Sequence, residues 1–174
     1  MKDNYVLICD RYIEDRKDMP LYKYINKEEW VRSHRHWFKL SERQLNRLKH
    51  LVKERDKALR VTYETYMKVD VPDQDWDAAE VHHVAHRGSG GDDKPNNLVS
   101  VSFRVHRFYF HADDPETVDF WTKRAIGYLE SPEVKAWEEE HAEELAEIYG
   151  KSEAAHIRKK RKGCIPKKPK WARF

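Results

Sequence analysis

The sequence predicts an α+β fold that is mainly helical, and three observations carry that reading. Apolar residues recur at helical spacing along much of the chain, and several of these stripes begin at side chains suited to cap a helix. Only two short apolar stretches, Ala79 to Val84 and Leu98 to Phe103, break the pattern, and the segment joining them, Gly88-Ser89-Gly90-Gly91-Asp92-Asp93-Lys94-Pro95, has the composition of a turn-rich loop.

Taken in order, the N-terminal Met1-Lys2-Asp3-Asn4 leads into Tyr5-Val6-Leu7-Ile8-Cys9, an apolar run too short and too soon interrupted for a signal peptide. Asn26 with Glu29, and Ser41 with Gln44, have capping-box spacing and predict helices near 27–38 and 42–58. The second has the stripe Leu45, Leu48, Leu51, Val52, and carries Arg43, Arg47, Lys49, Lys53 and Arg55 on its other faces, as solvated charge or as a DNA-facing surface. Trp30, Trp37 and Phe38 are expected in the core. Beyond the loop, Ser102 is placed to cap a helix carrying His106, and Asp114-Pro115 starts another, with Phe120, Trp121, Ala125, Tyr128 and Leu129 on its apolar face. Ser131-Pro132-Glu133 opens the next, in which Val134, Trp137, His141, Leu145 and Ile148 form one stripe up to a stop at Gly150.

The chemistry concentrates in one constellation. His82 and His83 stand side by side, Asn97 follows thirteen intervening residues after His83, and His106 follows eight after Asn97. Successive side chains on a strand point to opposite faces, so the adjacent histidines are suited to two different jobs. An imidazole, with an unperturbed pKa of about 6.5, has a substantial neutral fraction near neutrality and accepts a proton from water there. Arg87, Arg104 and Arg107 flank these residues and are candidates for holding a phosphate, or for pairing with Asp92, Asp93 or Glu80. His86 is a phosphate donor, a metal neighbour or, most simply, a solvated loop histidine.

The pattern His-His-x13-Asn-x8-His, within about residues 79–111, resembles the HNH endonuclease family. The resemblance implies a ββα-metal core, two strands as a hairpin and a helix around one divalent cation, flanked here by helices at 27–58 and 115–150. It implies His83 as general base, His82 and His106 as metal ligands, and Asn97 as the brace of the loop that aims the base. It further implies hydrolysis of DNA phosphodiester bonds, by nicking or double-strand cleavage, to 5′-phosphate and 3′-hydroxyl ends. Small free-standing members of this kind are encoded by phages and mobile introns, which makes a homing role and phage packaging proteins as partners part of the expectation.

Two departures from the family pattern matter. Many members have a further metal-facing residue one helical turn after the final histidine, where this chain has Phe110. His111 is the nearest substitute, yet in an ideal helix it stands about 140° round from His106, so His82 and His106 alone are expected to hold Mg, Mn, Ni or Zn. Cys9 and Cys164 are the only cysteines and form no Cys-x2-Cys pair, so no structural zinc of the usual type is available.

With 174 residues, 39% of them hydrophobic, the chain has material for one core, read as a single domain over 1–157. Its net charge is only +3, unevenly spread. Residues 158–174 form a basic tail, in which Lys159, Lys160 and Arg161 are candidates for the nucleic-acid backbone, and Glu138, Glu139, Glu140, Glu143, Glu144 and Glu147 make an acidic face just before it. No run is long enough for a membrane span, and isolated cysteines fit a reducing compartment, hence a cytoplasmic protein, in the host cytoplasm if phage-encoded, acting as monomer or homodimer. The alternative from another class is a non-catalytic module that uses the same fold to grip DNA or a protein.

Overall fold

The structure, a computed structural model, describes residues 25–67 and 76–150. The basic tail with Lys159, Lys160 and Arg161, and both cysteines, lie outside the described residues. The fold is α+β and mainly helical, with one two-stranded antiparallel sheet. Among the described residues no helix is long and apolar enough to cross a membrane.

Helix α1 (Lys27–Ser33) starts where Asn26 accepts the Glu29 N–H at 3.1 Å. It ends five residues short of the predicted boundary. Ser33 Oγ donates to the Trp30 carbonyl at 2.7 Å and His34 Nδ1 reaches the same oxygen at 2.8 Å, so side chains take up the carbonyl that a further turn would need. Trp37 then adopts φ 60 and stands exposed rather than in the core, while Phe38 is buried. The stretch from His34 to Leu40 is thus an extended strap rather than a helix.

Helix α2 (Glu42–Ala58) opens with the capping box of Ser41 and Gln44, and Leu45, Leu48, Leu51 and Val52 are all buried. They pack with Phe38, Leu40, Leu98, Trp137, Leu145 and Ile148 in one core. Arg55, expected among the outward charges, is instead fully buried. Its guanidinium donates to the carbonyls of Pro95 (2.8 Å) and Leu98 (2.6 Å) and pairs with Asp56 at 2.8 Å. Pro95, just before β2, and Leu98, at its start, present backbone carbonyls to this turn of α2, and a multi-donor cation satisfies both without water. Burial works against the charge of Arg55, but the Asp56 carboxylate and Tyr128 outweigh it, so the group is held protonated above its ordinary range. Helix α3 (Arg60–Met67) adds Tyr63, whose hydroxyl donates to the Ser100 carbonyl at 2.5 Å.

Strands β1 (Glu80–His83) and β2 (Leu98–Val101) pair with His82 opposite Val99 and His83 opposite Leu98. Leu98 packs into the core beside α2, and Val99 and Val101 into a second core with Tyr63, Trp76, Phe110, Phe120 and Trp121. The sheet is therefore sandwiched between two helical layers, which is how so short a hairpin is held.

After β2, Ser102 caps α4 (Phe103–Val105), which runs into a π-helical stretch, His106–Phe110. Asp114 caps α5 (Pro115–Leu129), whose Phe120, Trp121, Ala125, Tyr128 and Leu129 are buried as expected. The last stripe divides into α6 (Pro132–Glu140) and α7 (Ala142–Tyr149) at His141, whose ring stacks on Trp137 with centroids 4.1 Å apart.

Candidate metal centre

Strand alternation divides the adjacent histidines. Glu80 and His82 share the face of β1 that meets the π-helical stretch, while His83 turns toward the loop that precedes β2. The buried ring of His82 packs on Phe110 with centroids 4.4 Å apart and lies 5.0 Å from His106 and 5.4 Å from His111. One ring nitrogen from each of His82, His106 and His111 falls within 4.8 Å of the others.

The presence of His111 overturns the expectation drawn from an ideal helix. Its N–H donates to the His106 carbonyl at 3.1 Å, an i to i+5 bond. The wider π turn carries the fifth residue, rather than the fourth, back over His106. Phe110 in consequence points into the core and is 1% exposed, while His111 takes the position one turn on.

Glu80 orients His106. Its carboxylate contacts Nδ1, and since a carboxylate only accepts, Nδ1 carries the proton and Nε2 presents its lone pair. That Nε2 lies 3.1 Å from Nε2 of His111. Two imidazole nitrogens each about 2.1 Å from one ion lie about 3.0–3.4 Å apart at octahedral or tetrahedral angles, so the spacing of this pair fits a shared divalent cation, with the His82 nitrogen within 4.8 Å of both. Desolvation by burial, together with the neighbouring rings of His106, His86 and His111, lowers the His82 pKa well below the ordinary value. Desolvation, His106 and Arg107 lower that of His111. Both shifts favour neutral imidazole, the form a metal binds.

His83 faces a different partner. Its Nε2 lies 2.9 Å from Oδ1 of Asp93, a fully buried carboxylate. Burial would raise the Asp93 pKa, but hydrogen bonds from His83, Arg87 and the Leu40 N–H lower it below the ordinary range. Facing an ionised acceptor, Nε2 of His83 carries the proton and Nδ1 is left to accept one.

Asn97 is fully buried and clamps the loop. Its Oδ1 accepts the Ala85 N–H at 2.7 Å and its Nδ2 donates to the carbonyls of Ala85 (3.0 Å) and Asp92 (2.9 Å). The spacing from His83 had singled out Asn97, and these three bonds are what the position does. The strap from α1 finishes the enclosure: Asp92 Oδ1 accepts the N–H groups of His36 (2.9 Å) and Phe38 (3.0 Å), and Asp93 Oδ2 that of Leu40 (2.8 Å). Gly91 belongs here for a steric reason, because a Cβ would sit 1.7 Å from the Ala85 carbonyl oxygen.

The arginines part company. Arg87 pairs with Asp93 at 3.0 Å, the acid-pairing alternative of its two readings. Arg107 lies over the Phe103 ring, 5.8 Å from its centroid, and its charge reaches His111. Arg104 is exposed on α4. His86 is exposed, yet its ring centroid is 5.6 Å from that of His82 and 5.5 Å from that of His111, so it borders the cluster.

Sequence reading missed three participants, Glu80, Asp93 and His111, as parts of the site. Alternation from His82 identifies Glu80 as its neighbour on the same face. Asp93 had entered only as a partner for arginine, and no local signal announced the π turn. No protein-family model, no curated protein and no solved structure matches this chain. What the site does is therefore read from its own side chains.

Proposed function

We propose that this protein is a metal-dependent DNA endonuclease of the HNH type, built on a ββα-metal core made of β1, β2 and the helix capped by Ser102. The observation that supports it best is the convergence of His82, His106 and His111 beside a separately held imidazole, His83, whose free nitrogen is Nδ1. A purely structural histidine cluster has no need of a second, carboxylate-oriented imidazole next door.

His82, His106 and His111 would hold the ion, Glu80 keeps His106 in the tautomer that would bind it, and nitrogen donors favour manganese, nickel or zinc over magnesium by intrinsic affinity. When bound, a divalent cation stabilises the charge that develops on the phosphoryl oxygens and on the leaving 3′-oxygen. Nδ1 of His83 takes the proton of the attacking water, and Asp93 steadies the imidazolium that results. Asn97 holds the Ala85 and Asp92 backbone so that Asp93 and His83 stay in register. Arg104 and Arg107, and in the tail Lys159, Lys160 and Arg161, neutralise phosphates of the DNA. The products carry 5′-phosphate and 3′-hydroxyl ends.

Supercoiled plasmid incubated with wild type and with His83→Ala, in EDTA or with magnesium, manganese, nickel or zinc, tests the reading. General-base catalysis contributes about 10² to 10⁴ in rate, so metal-dependent nicking should fall by that factor in His83→Ala while metal affinity is retained. Wild type that binds DNA but cuts neither DNA nor RNA with any metal sinks the reading and leaves a non-catalytic binding module.

A further inference from the structure

A groove of about 480 Å³ runs from the candidate metal centre along α2. One wall is Asn46, Lys49, His50 and Lys53; the other is Ala79, Glu80, Val81 and His106. The groove therefore includes a candidate metal ligand and the carboxylate that orients it. The four α2 residues are spaced i, i+3, i+4, i+7 and so share one face.

Charge on this face is not consumed internally. Among the described residues, Arg43, Arg47 and Lys49 take part in no ion pair. Lys53 Nζ donates to the Asp77 carbonyl at 3.2 Å, a neutral partner that places the ammonium without cancelling it. The one acid in the groove wall is Glu80, which is engaged by His106. Toward its N-terminus the same helix face continues into an adjoining groove lined by Arg43, Arg47 and His50 together with Glu42 and Glu144.

We propose that this face of α2 is the track on which a nucleic-acid strand lies as it enters the histidine cluster, with Lys49 and Lys53 holding the phosphates beside the reacting one. The inference rests on the reading of the site as a nuclease. Lys49 and Lys53 are four residues apart, a rise of about 6 Å along the helix, comparable to the distance between successive phosphates of one strand. A small phosphorylated ligand has no use for a second basic groove in line with the first.

The test is binding of a labelled DNA duplex of about 20 base pairs, in EDTA, by the full chain across a salt series. Lys49→Ala with Lys53→Ala is expected to weaken binding roughly tenfold per lost contact near 0.1 M salt and to make the plot of log affinity against log salt shallower by about 2. Zinc affinity and melting temperature should not change. Lys49→Arg with Lys53→Arg should bind as wild type does, since it keeps both charges. Arg32→Ala with Arg35→Ala, in the separate groove beside His86, should leave the slope as it is. An unchanged slope in the α2 alanine variant, a loss seen only in the Arg32→Ala with Arg35→Ala variant, or an equal loss in the arginine variant overturns the proposal. Cleavage separates it from the functional reading. Plasmid nicking with no change of slope removes the track alone, and a changed slope without nicking under any metal removes the nuclease and keeps the track.

Discussion

Two polar clusters stand on opposite sides of the same hairpin, and they satisfy their hydrogen-bonding groups in opposite ways. Beside α2, Arg55 and Asp56 are fully buried, and their partners are spoken for: Asp56 Oδ2 accepts the Ser100 N–H at 2.7 Å, Tyr128 donates to Oδ1 at 2.7 Å, and Arg55 serves two carbonyls. Beside the π turn, Glu80 fixes one nitrogen of His106, while the other points with nitrogens of His82 and His111 into a common space. The first cluster is closed, with donors matched to acceptors. The second gathers imidazole nitrogens, two of which, on His106 and His111, lie 3.1 Å apart, and it is there that the proposed cation would bind. A polar group that stabilises a fold is one whose valence the fold itself fills, and a group that binds is one whose valence the fold aims but leaves open.

That contrast can be broken by measurement, most sharply at the closed cluster. Asp56→Ala strands a buried guanidinium and two donors, so it should cost about 3–5 kcal/mol in urea unfolding, with or without metal. A cost under about 1 kcal/mol would mean that the network is not closed. At the open cluster the stability should come from outside. Zinc or nickel at about a hundredfold excess over its dissociation constant should add about 2.7 kcal/mol to wild type and nothing to His106→Ala. Equal stabilisation of both would place the ion elsewhere.

Glu80→Gln removes the carboxylate behind His106 and should weaken metal affinity about 10- to 100-fold in titration calorimetry, with little change in metal-free stability. The smallest effect is one of pH. Burial and neighbouring rings hold the His82 pKa below its ordinary value in the folded chain, so between that depressed value and about 6.5 the unfolded chain binds more protons than the folded one. Metal-free stability should then rise with pH across this window and level off above about 6.5. His82→Phe should flatten the slope, whereas a steeper fall toward low pH in the variant would mean that another group controls it.

The regions differ also in how far they were legible from sequence. Capping residues announced α2, α5 and α6 correctly, because a cap acts within three residues of itself. The stripe of Leu45, Leu48, Leu51 and Val52 found its core for the same local reason. Arg55 did not follow: helical periodicity put it among exposed charges, and only the carbonyls of Pro95 and Leu98, some forty residues away, explain its burial. The strap misled in the same manner. The spacing of Asn26 and Glu29 predicts a helix up to 38, but Asp92 and Asp93 claim the backbone N–H groups of His36, Phe38 and Leu40. Spacing had singled out His82 and His106, which the fold brings together, and Asn97, which clamps the loop between them, whereas His111 was set aside because 100° per residue is true only of the α-helix.

The amino-acid sequence by itself determined where helices begin, which faces they bury, and that His82 and His83 part to opposite faces of a strand, since each follows from φ/ψ geometry and neighbours a few residues off. Tertiary structure alone decided that His111 joins the cluster, that Glu80 meets His106 across 26 residues, and that Asp93 stands behind His83. The reason is packing: Phe110 must enter the core against Trp121, with ring centroids 6.3 Å apart, and the turn that carries it there widens by one residue. That extra residue moves His111 onto the face of His106.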